Sequence, residues 1–301
     1  MGKIQKISMI GMGAVGCAYG KNLYDLNPEN FKVIASGERR SRYEKNGFVI
    51  NGKHYDFKCI SPEEKCEKDD LVIIAVKENQ LQESIEQIKN HVGENTIILS
   101  LLNGITSEEK VGTIYGMEKM LYSYCVIEAI RNENEVHIPG KYKIIFGEKD
   151  NHTYSEKVKA VEELFSRAKI NYDVPENMLR SMWSKFMMNV GINPVSALLR
   201  ANYGVFQNNE YARKIMVSAM REVVQLSKKA GINLDENDIK GWIKVLDFCS
   251  PDGKTSMCQD ILAGRKTEVD IFSGAVCELG LKYGVDTPVN RTIFNMVKVI
   301  E

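Results

Sequence analysis

The chain has 301 residues, enough for about two domains of ordinary size. Lysine plus arginine number 40 and aspartate plus glutamate 40, so the net charge is zero, which argues against nucleic acid as the main partner. Hydrophobic residues are 44% of the chain but never form the run of about 20 that a membrane-spanning helix needs, and no signal-peptide pattern opens it, so a cytoplasmic protein is expected.

In chain order, residues 6–10 form a short apolar strand. It runs into Gly11-Met12-Gly13-Ala14-Val15-Gly16, and helical spacing follows over 17–26. This is Gly-x-Gly-x-x-Gly between a strand and a helix, the context in which it binds a dinucleotide. Gly11 permits the tight turn, Gly13 lets the backbone approach a pyrophosphate, and Gly16 lets helix and strand pack closely. The second strand is 31–35. An acid about 20 residues after the motif would hold the ribose hydroxyls of NAD, but that position is Ser36. A hydroxyl followed by Arg39, Arg40 and Arg42 suits a 2′-phosphate, because arginine grips phosphate bidentately. Glu38 competes as a ribose acid, and a solvated helix start is the plain alternative for the arginines.

Asn51-Gly52 between apolar runs predicts a hairpin over 47–57. Residues 71–76 are a fully apolar strand, as in parallel sheets. A helix is expected over 81–91 and another strand over 96–102. Lys77, Gln80 and Asn103 follow the ends of these two strands, where open α/β sheets bind ligands. They are expected to border the nicotinamide end of the crevice; turn chemistry is the alternative for each, and Asn103-Gly104 in particular is a common turn pair. Residues 120–147 read as strands and hairpins with a turn at Pro139-Gly140. A helix over 156–168 and a short strand over 170–174 close the first domain, 1–174. The second, 175–301, begins at Pro175.

The second domain reads as helix after helix. The segment 178–199 is helical with an interruption at Pro194. Within it Lys185, Asn189 and Asn193 are spaced four apart, so a helix sets them on one face. Phe186, Met187, Met188, Val190 and Ile192 around them are core-like. Polar groups there need partners, each other and a polar ligand. A partly exposed face with a snorkelling lysine is the alternative. Further helices are predicted over 211–230 and 235–248. A turn follows at 250–253, then a helical segment at 255–262, a helix from Thr267 to Gly284, and a last helix capped by Thr287-Pro288. Ser256 and Glu268 adjoin first helical turns, so capping for one and macrodipole support for the other compete with any role in binding.

The cysteines at 17, 59, 66, 125, 249, 258 and 277 include no Cys-x-x-Cys pair, which fits a reducing compartment and buried thiols. Four scattered histidines argue against a protein metal site.

Taken together, Gly11-x-Gly13-x-x-Gly16, Lys77-x-x-Gln80, Asn103-Gly104, Lys185-x-x-x-Asn189-x-x-x-Asn193-Pro194, Ser256-Met-x-Gln-Asp260, Arg265-x-Thr267-Glu268-x-Asp270 and Gly284-x-x-Thr287-Pro288 resemble the ketopantoate reductase family over nearly the whole chain. The resemblance implies an α/β Rossmann-like dinucleotide-binding domain and an all-α domain, with the active site in the interdomain cleft. It implies NADPH as hydride donor and 2-dehydropantoate as acceptor, in coenzyme A precursor synthesis. It implies Lys185 as general acid, with Glu268 as its acidic neighbour, a substrate-hydroxyl partner and a cofactor contact. Asn189, Asn193 and Ser256 become substrate-binding groups. Asn103 and Lys77 lie near the nicotinamide and its ribose, Asn103 also near the substrate. Family members commonly carry arginine where this chain has Ser36. The expected partners are a small 2-keto acid and, as a candidate assembly, a second copy of the chain. Reduction of a different 2-keto acid, or non-enzymatic sensing of NADP(H), are the alternative readings.

Overall fold

Short apolar strands, buried along their length, build the centre of the first unit. In the computed structural model, which describes residues 2–301, β1 (Ile7–Ile10) leads into α1 (Ala14–Leu26) and β2 (Phe31–Ile34) into α2 (Gly37–Asn46). Next come β3 (Phe48–Ile50), β4 (Lys53–Tyr55), β5 (Cys59–Ile60) and β6 (Leu71–Ile74). α3 (Leu81–Gln87), β7 (Ile97–Ser100), α4 (Ser107–Tyr115) and β8 (Met120–Val126) follow. β9 (Ile130–Asn132), β10 (Glu135–His137), β11 (Lys143–Gly147), α5 (Glu156–Arg167) and β12 (Asn171–Asp173) complete the unit, which ends at Met178.

The main sheet runs β12-β11-β8-β7-β6-β1-β2-β5, and only β8 and β11 pair antiparallel. Ile10 lies beside both Ile34 and Ile74, and Ile74 beside Ser100. The segments after β1, β2, β6 and β7 therefore leave the sheet at one end. From β1 the chain turns one way to β2 and the other way to β6, which makes the end of β1 the topological switch point where such sheets bind ligands.

A second, four-stranded sheet runs β4-β3-β10-β9. It joins two hairpins distant in sequence through a parallel β3–β10 pair. The first hairpin turns at Asn51 and Gly52, both at positive φ, as predicted. The second turns at Glu133-Asn134, with Glu133 at φ +52°, and not at Pro139-Gly140. Pro139-Gly140 instead bends the passage from the small sheet to the main one, because β11 pairs with β8 and not with β10.

The second unit begins at Leu179 and is helical among the described residues. It comprises α6 (Met178–Leu199), α7 (Tyr203–Asn208), α8 (Glu210–Lys229), α9 (Glu236–Asp247), α10 (Ser256–Leu262), α11 (Ser273–Tyr283) and α12 (Pro288–Ile300). Three sequence expectations change here. Pro194 does not interrupt α6, which runs through it. A mid-helix proline costs about 3 kcal/mol, and burial of Val190, Ile192, Val195 and Ala197 around it offsets that loss. The helix expected from Thr267 is a single 3-10 turn, Val269–Ile271, divided from α11 by the non-helical backbone of buried Phe272. Thr287 stands at the N-cap of α12 without accepting a bond. The buried Glu222 of α8 accepts from the Val289 and Asn290 N–H groups instead, at 2.7 and 3.0 Å. A carboxylate from a neighbouring helix thus does the capping.

No helix among the described residues is long and apolar enough to cross a membrane. Of the seven free cysteines, Cys17, Cys125 and Cys258 are buried and four are partly exposed. Burial pushes the Cys17 thiol up to about 12, which leaves it a poor nucleophile.

Glu108, in the first turn of α4, is fully buried under the end of β7. It accepts from Ser107 Oγ at 2.9 Å and from the Ser123 N–H at 3.3 Å. Burial, the largest cause, lifts its carboxyl from 4.5 to about 7 against those hydrogen bonds. A raised carboxyl stabilises the fold fully below the unfolded value, and that contribution is lost as pH rises through the folded one. Stability should therefore fall between pH 4.5 and about 7, by on the order of 3 kcal/mol from this group. Glu108→Gln, which mimics the protonated form, is expected to flatten that slope. Urea denaturation at intervals from pH 4.5 to 8 measures it, and an unchanged slope would count against the assignment.

Candidate active site

The glycine loop sits at the end of β1. Gly11 has φ +94°, and a Cβ there would lie 2.6 Å from the Ala75 carbonyl, so only glycine fits between β1 and the end of β6. At Gly16 a Cβ would come within 2.0 Å of the Gly11 carbonyl oxygen. At Gly13 it would meet nothing within 4 Å. Gly11 and Gly16 are thus demanded by the protein's own packing, whereas Gly13 faces open space. Gly13 is the N-cap of α1 and brings no side-chain cap, and the first turn carries no acid. The orphan N–H groups and the dipole of Ala14, Val15 and Gly16 are left for an anion, which fits a dinucleotide pyrophosphate.

Around this loop, the other strand ends carry the residues singled out by sequence. Ser36 is at the N-cap position of α2 but caps nothing; its hydroxyl accepts from Gln87 at 3.4 Å. Arg40 is tied to Glu44 one turn along, at 2.7 Å. Arg39 is half-buried and has neither hydrogen bond nor ion pair among the described residues. Lys77 precedes the single 3-10 turn Glu78–Gln80 after β6 and is exposed; Gln80 closes that turn. Asn103 follows β7 and is half-buried. One residue near the loop escapes sequence reading. Arg131, in β9, donates from Nη1 to the Met12 carbonyl. It lies 119 residues along the chain, and no local pattern marks it.

In the second unit, Lys185, Asn189 and Asn193 are all buried, at 9%, 6% and 6% exposure, which excludes the exposed-face reading. Ser256 Oγ donates to Asn193 Oδ1 at 3.2 Å, and Asn193 Nδ2 donates to Asn189 Oδ1 at 3.3 Å. The hydrogen-bonded chain runs from exposed Ser256 inward along α6, and Lys185 stands one turn further on the same face. Ser256 is free for this because Thr255, not Ser256, caps α10: Thr255 Oγ1 accepts from the Cys258 N–H at 3.1 Å. Thr255 also bonds Ser196 Oγ at 2.5 Å, and Ser196 donates to the Asn193 carbonyl at 2.9 Å. These two residues, missed by sequence reading, hold α10 against α6 where Ser256 meets Asn193. The signal for Thr255 was present, a threonine directly before a helical run.

Glu268 is half-buried and makes no cap bond to the single turn that follows. Its neighbours are anchored. Thr267 donates its N–H to Glu301 at 2.9 Å and its hydroxyl to the same carboxylate, and Val269 is fully buried. Arg265 pairs with buried Asp260 at 2.8 Å, fixing the loop that leads to Glu268. No group of three His, Cys, Asp or Glu among the described residues could hold a metal ion.

Residues 7–151 match the family described as Ketopantoate reductase PanE/ApbA, and residues 177–301 match Ketopantoate reductase PanE/ApbA C terminal. The 2-dehydropantoate 2-reductase of Aquifex aeolicus (strain VF5) is 30% identical over 314 residues, covering 99% of this chain and 97% of that protein. Two solved structures share the fold. The ternary complex of D-mandelate dehydrogenase with NADH and anilino(oxo)acetate aligns with TM-score 0.89 at 24% identity, covering 98% of both chains. The 2-dehydropantoate 2-reductase from Geobacter metallireducens aligns with TM-score 0.88 at 23% identity, covering 98% of this chain and all of that one.

The glycines separate two roles. Gly16→Ala is expected to lower the melting temperature by several degrees or prevent folding, since backbone must move to admit the methyl group. Gly13→Ala should melt with the parent. Circular-dichroism melts of both variants check this, and equal destabilisation would contradict the difference in packing.

Proposed function

We propose that this chain, which belongs to the ketopantoate reductase family, reduces the ketone of 2-dehydropantoate to an alcohol, with NADPH as electron donor. The observation that carries this reading is the hydrogen-bonded chain from exposed Ser256 through buried Asn193 and Asn189, with buried Lys185 one turn further along the same face of α6. When bound, the cofactor supplies the hydride to the carbonyl carbon. The carbonyl oxygen then gains charge and needs a donor. Lys185 provides a positive charge there and a proton from Nζ, which completes the alcohol. A lysine in a mostly apolar setting does this better than one in water, because the low dielectric strengthens its pull on the forming alkoxide. Asn189 and Ser256 orient the substrate through amide and hydroxyl groups, and Asn193, bonded to both, sets which way each points. Glu268, on an anchored loop, is assigned to a substrate hydroxyl.

The cofactor's pyrophosphate is assigned to the α1 N-terminus and its nicotinamide end to Lys77, Gln80 and Asn103. NADPH is assigned over NADH because Ser36 brings no acid and Arg39 pairs with no carboxylate among the described residues. A second reading, reduction of another 2-keto acid by the same residues, is raised by the fold shared with D-mandelate dehydrogenase.

Purified protein is expected to oxidise NADPH when 2-dehydropantoate is added. A panel of 2-keto acids separates the two readings: turnover of another acid alone favours the second, and no turnover with any removes both. Lys185→Ala should lower both kcat and kcat/KM by about 100-fold or more, the size of a general-acid contribution. NADPH affinity should hardly change, and Lys185→Arg should not restore the rate, since arginine hardly releases its proton. Steady-state kinetics and a cofactor titration measure these. A correctly folded Lys185→Ala with parental kcat would show that the acid lies elsewhere.

A further inference from the structure

Arg131 belongs to the hairpin of β9 and β10, outside the strand–helix unit that carries the glycine loop. Its Nη1 donates to the Met12 carbonyl inside that loop, and its Nε donates to the Glu133 carbonyl at 2.7 Å. The side chain is half-buried, and among the described residues no carboxylate pairs with it. Two neutral carbonyls do not neutralise a guanidinium, and a partly desolvated charge without a counter-ion is costly. Of its five N–H donors only two are used, so a further acceptor can be gripped.

The surroundings indicate which acceptor. The Arg131 guanidinium lies 5.8 Å from the ring centre of Phe48, and Phe48 packs on Tyr43 at 4.8 Å. Tyr43 follows Arg39 by four residues on α2, so both share one helix face. The charges of Arg131, Arg39 and Arg42 all act on the buried Tyr43 hydroxyl, though burial is larger and raises its pKa. Arg131 and Arg39 therefore approach the same aromatic pair from two elements. Room remains beside them, since a Cβ at Gly13 or Gly37 would meet nothing within 4 Å. The other residues at this end contribute less. Ser36 has no charge, and Arg40 is held by Glu44.

We infer that Arg131, together with Arg39, holds the 2′-phosphate of NADPH, so that the β9–β10 hairpin adds a second guanidinium to the one that α2 supplies after β2. This rests on the dinucleotide reading proposed above. A phosphate dianion between two guanidinium groups, one fixed by a backbone carbonyl of the glycine loop, receives charge-assisted bonds that NADH cannot form.

Dissociation constants of NADPH and NADH, measured by fluorescence titration with thermal melts alongside, test it. Arg131→Ala should weaken NADPH about tenfold or more, the worth of a charge-assisted bond, and NADH by less than about threefold. Arg131→Gln keeps a donor for the Met12 carbonyl without the charge and should show the same selective loss, which covers the case in which the alanine variant fails to fold. Equal weakening of both cofactors would mean that Arg131 only shapes the loop, and no change in either would mean that it does not touch the phosphate; each result overturns the inference. A parent that binds neither cofactor, or both equally, removes the NADPH reading itself and this inference with it. A parent that prefers NADPH but is indifferent to Arg131 removes only the inference.

Discussion

The contact between Gly16 and the carbonyl of Gly11 organises the first unit. With no side chain at either position, the chain leaves β1, turns back on itself and enters α1 within a few residues. That brings the positive end of α1 over the end of β1, between β2 and β6. The common register of β1, β2, β6 and β7 then delivers the segments of Ser36, Lys77 and Asn103 to the same end of the sheet. A methyl group at Gly16 would push the helix off the strand, and the site's geometry would go with it.

A different constraint governs the second unit. Three polar residues on an apolar helix can be buried only if their hydrogen-bonding capacity is used. The chain from Ser256 through Asn193 to Asn189 meets that demand in part and also gives it direction. Ser196 and Thr255 act one layer behind: they bind α10 to α6 and relieve Ser256 of capping. The same economy recurs at Glu222, a buried carboxylate whose acceptors are spent on the N-terminus of α12, which makes it part of the frame and not of the chemistry.

Arg131 and Glu108 show how charge is handled in the first unit. One is a half-buried cation whose side chain reaches the glycine loop, with no carboxylate paired to it among the described residues. The other is a carboxyl buried so completely that its proton is retained to about pH 7. Neither is a local feature. Glu108 depends on Ser123 from β8, and Arg131 on a hairpin that joins a separate sheet.

Much was legible in the sequence because it was written in local, periodic terms. The glycine spacing with its flanking strand and helix, the Asn51-Gly52 turn, the apolar strands and the four-residue spacing of Lys185, Asn189 and Asn193 each follow from the backbone over a dozen residues or fewer. Family membership followed from several such patterns in one order. What sequence reading missed depends on partners far along the chain. Pro194 stays helical because side chains packed around it offset its missing bond. Thr267 does not open a long helix because buried Phe272 takes a non-helical backbone, and Thr287 does not cap because Glu222 does. Pro139-Gly140 does not turn a hairpin because β11 finds its partner in β8. Local spacing decides which face a side chain occupies. Only tertiary packing decides which distant donor, acceptor or charge that face will meet, because those choices are made across 60 to 120 residues of chain.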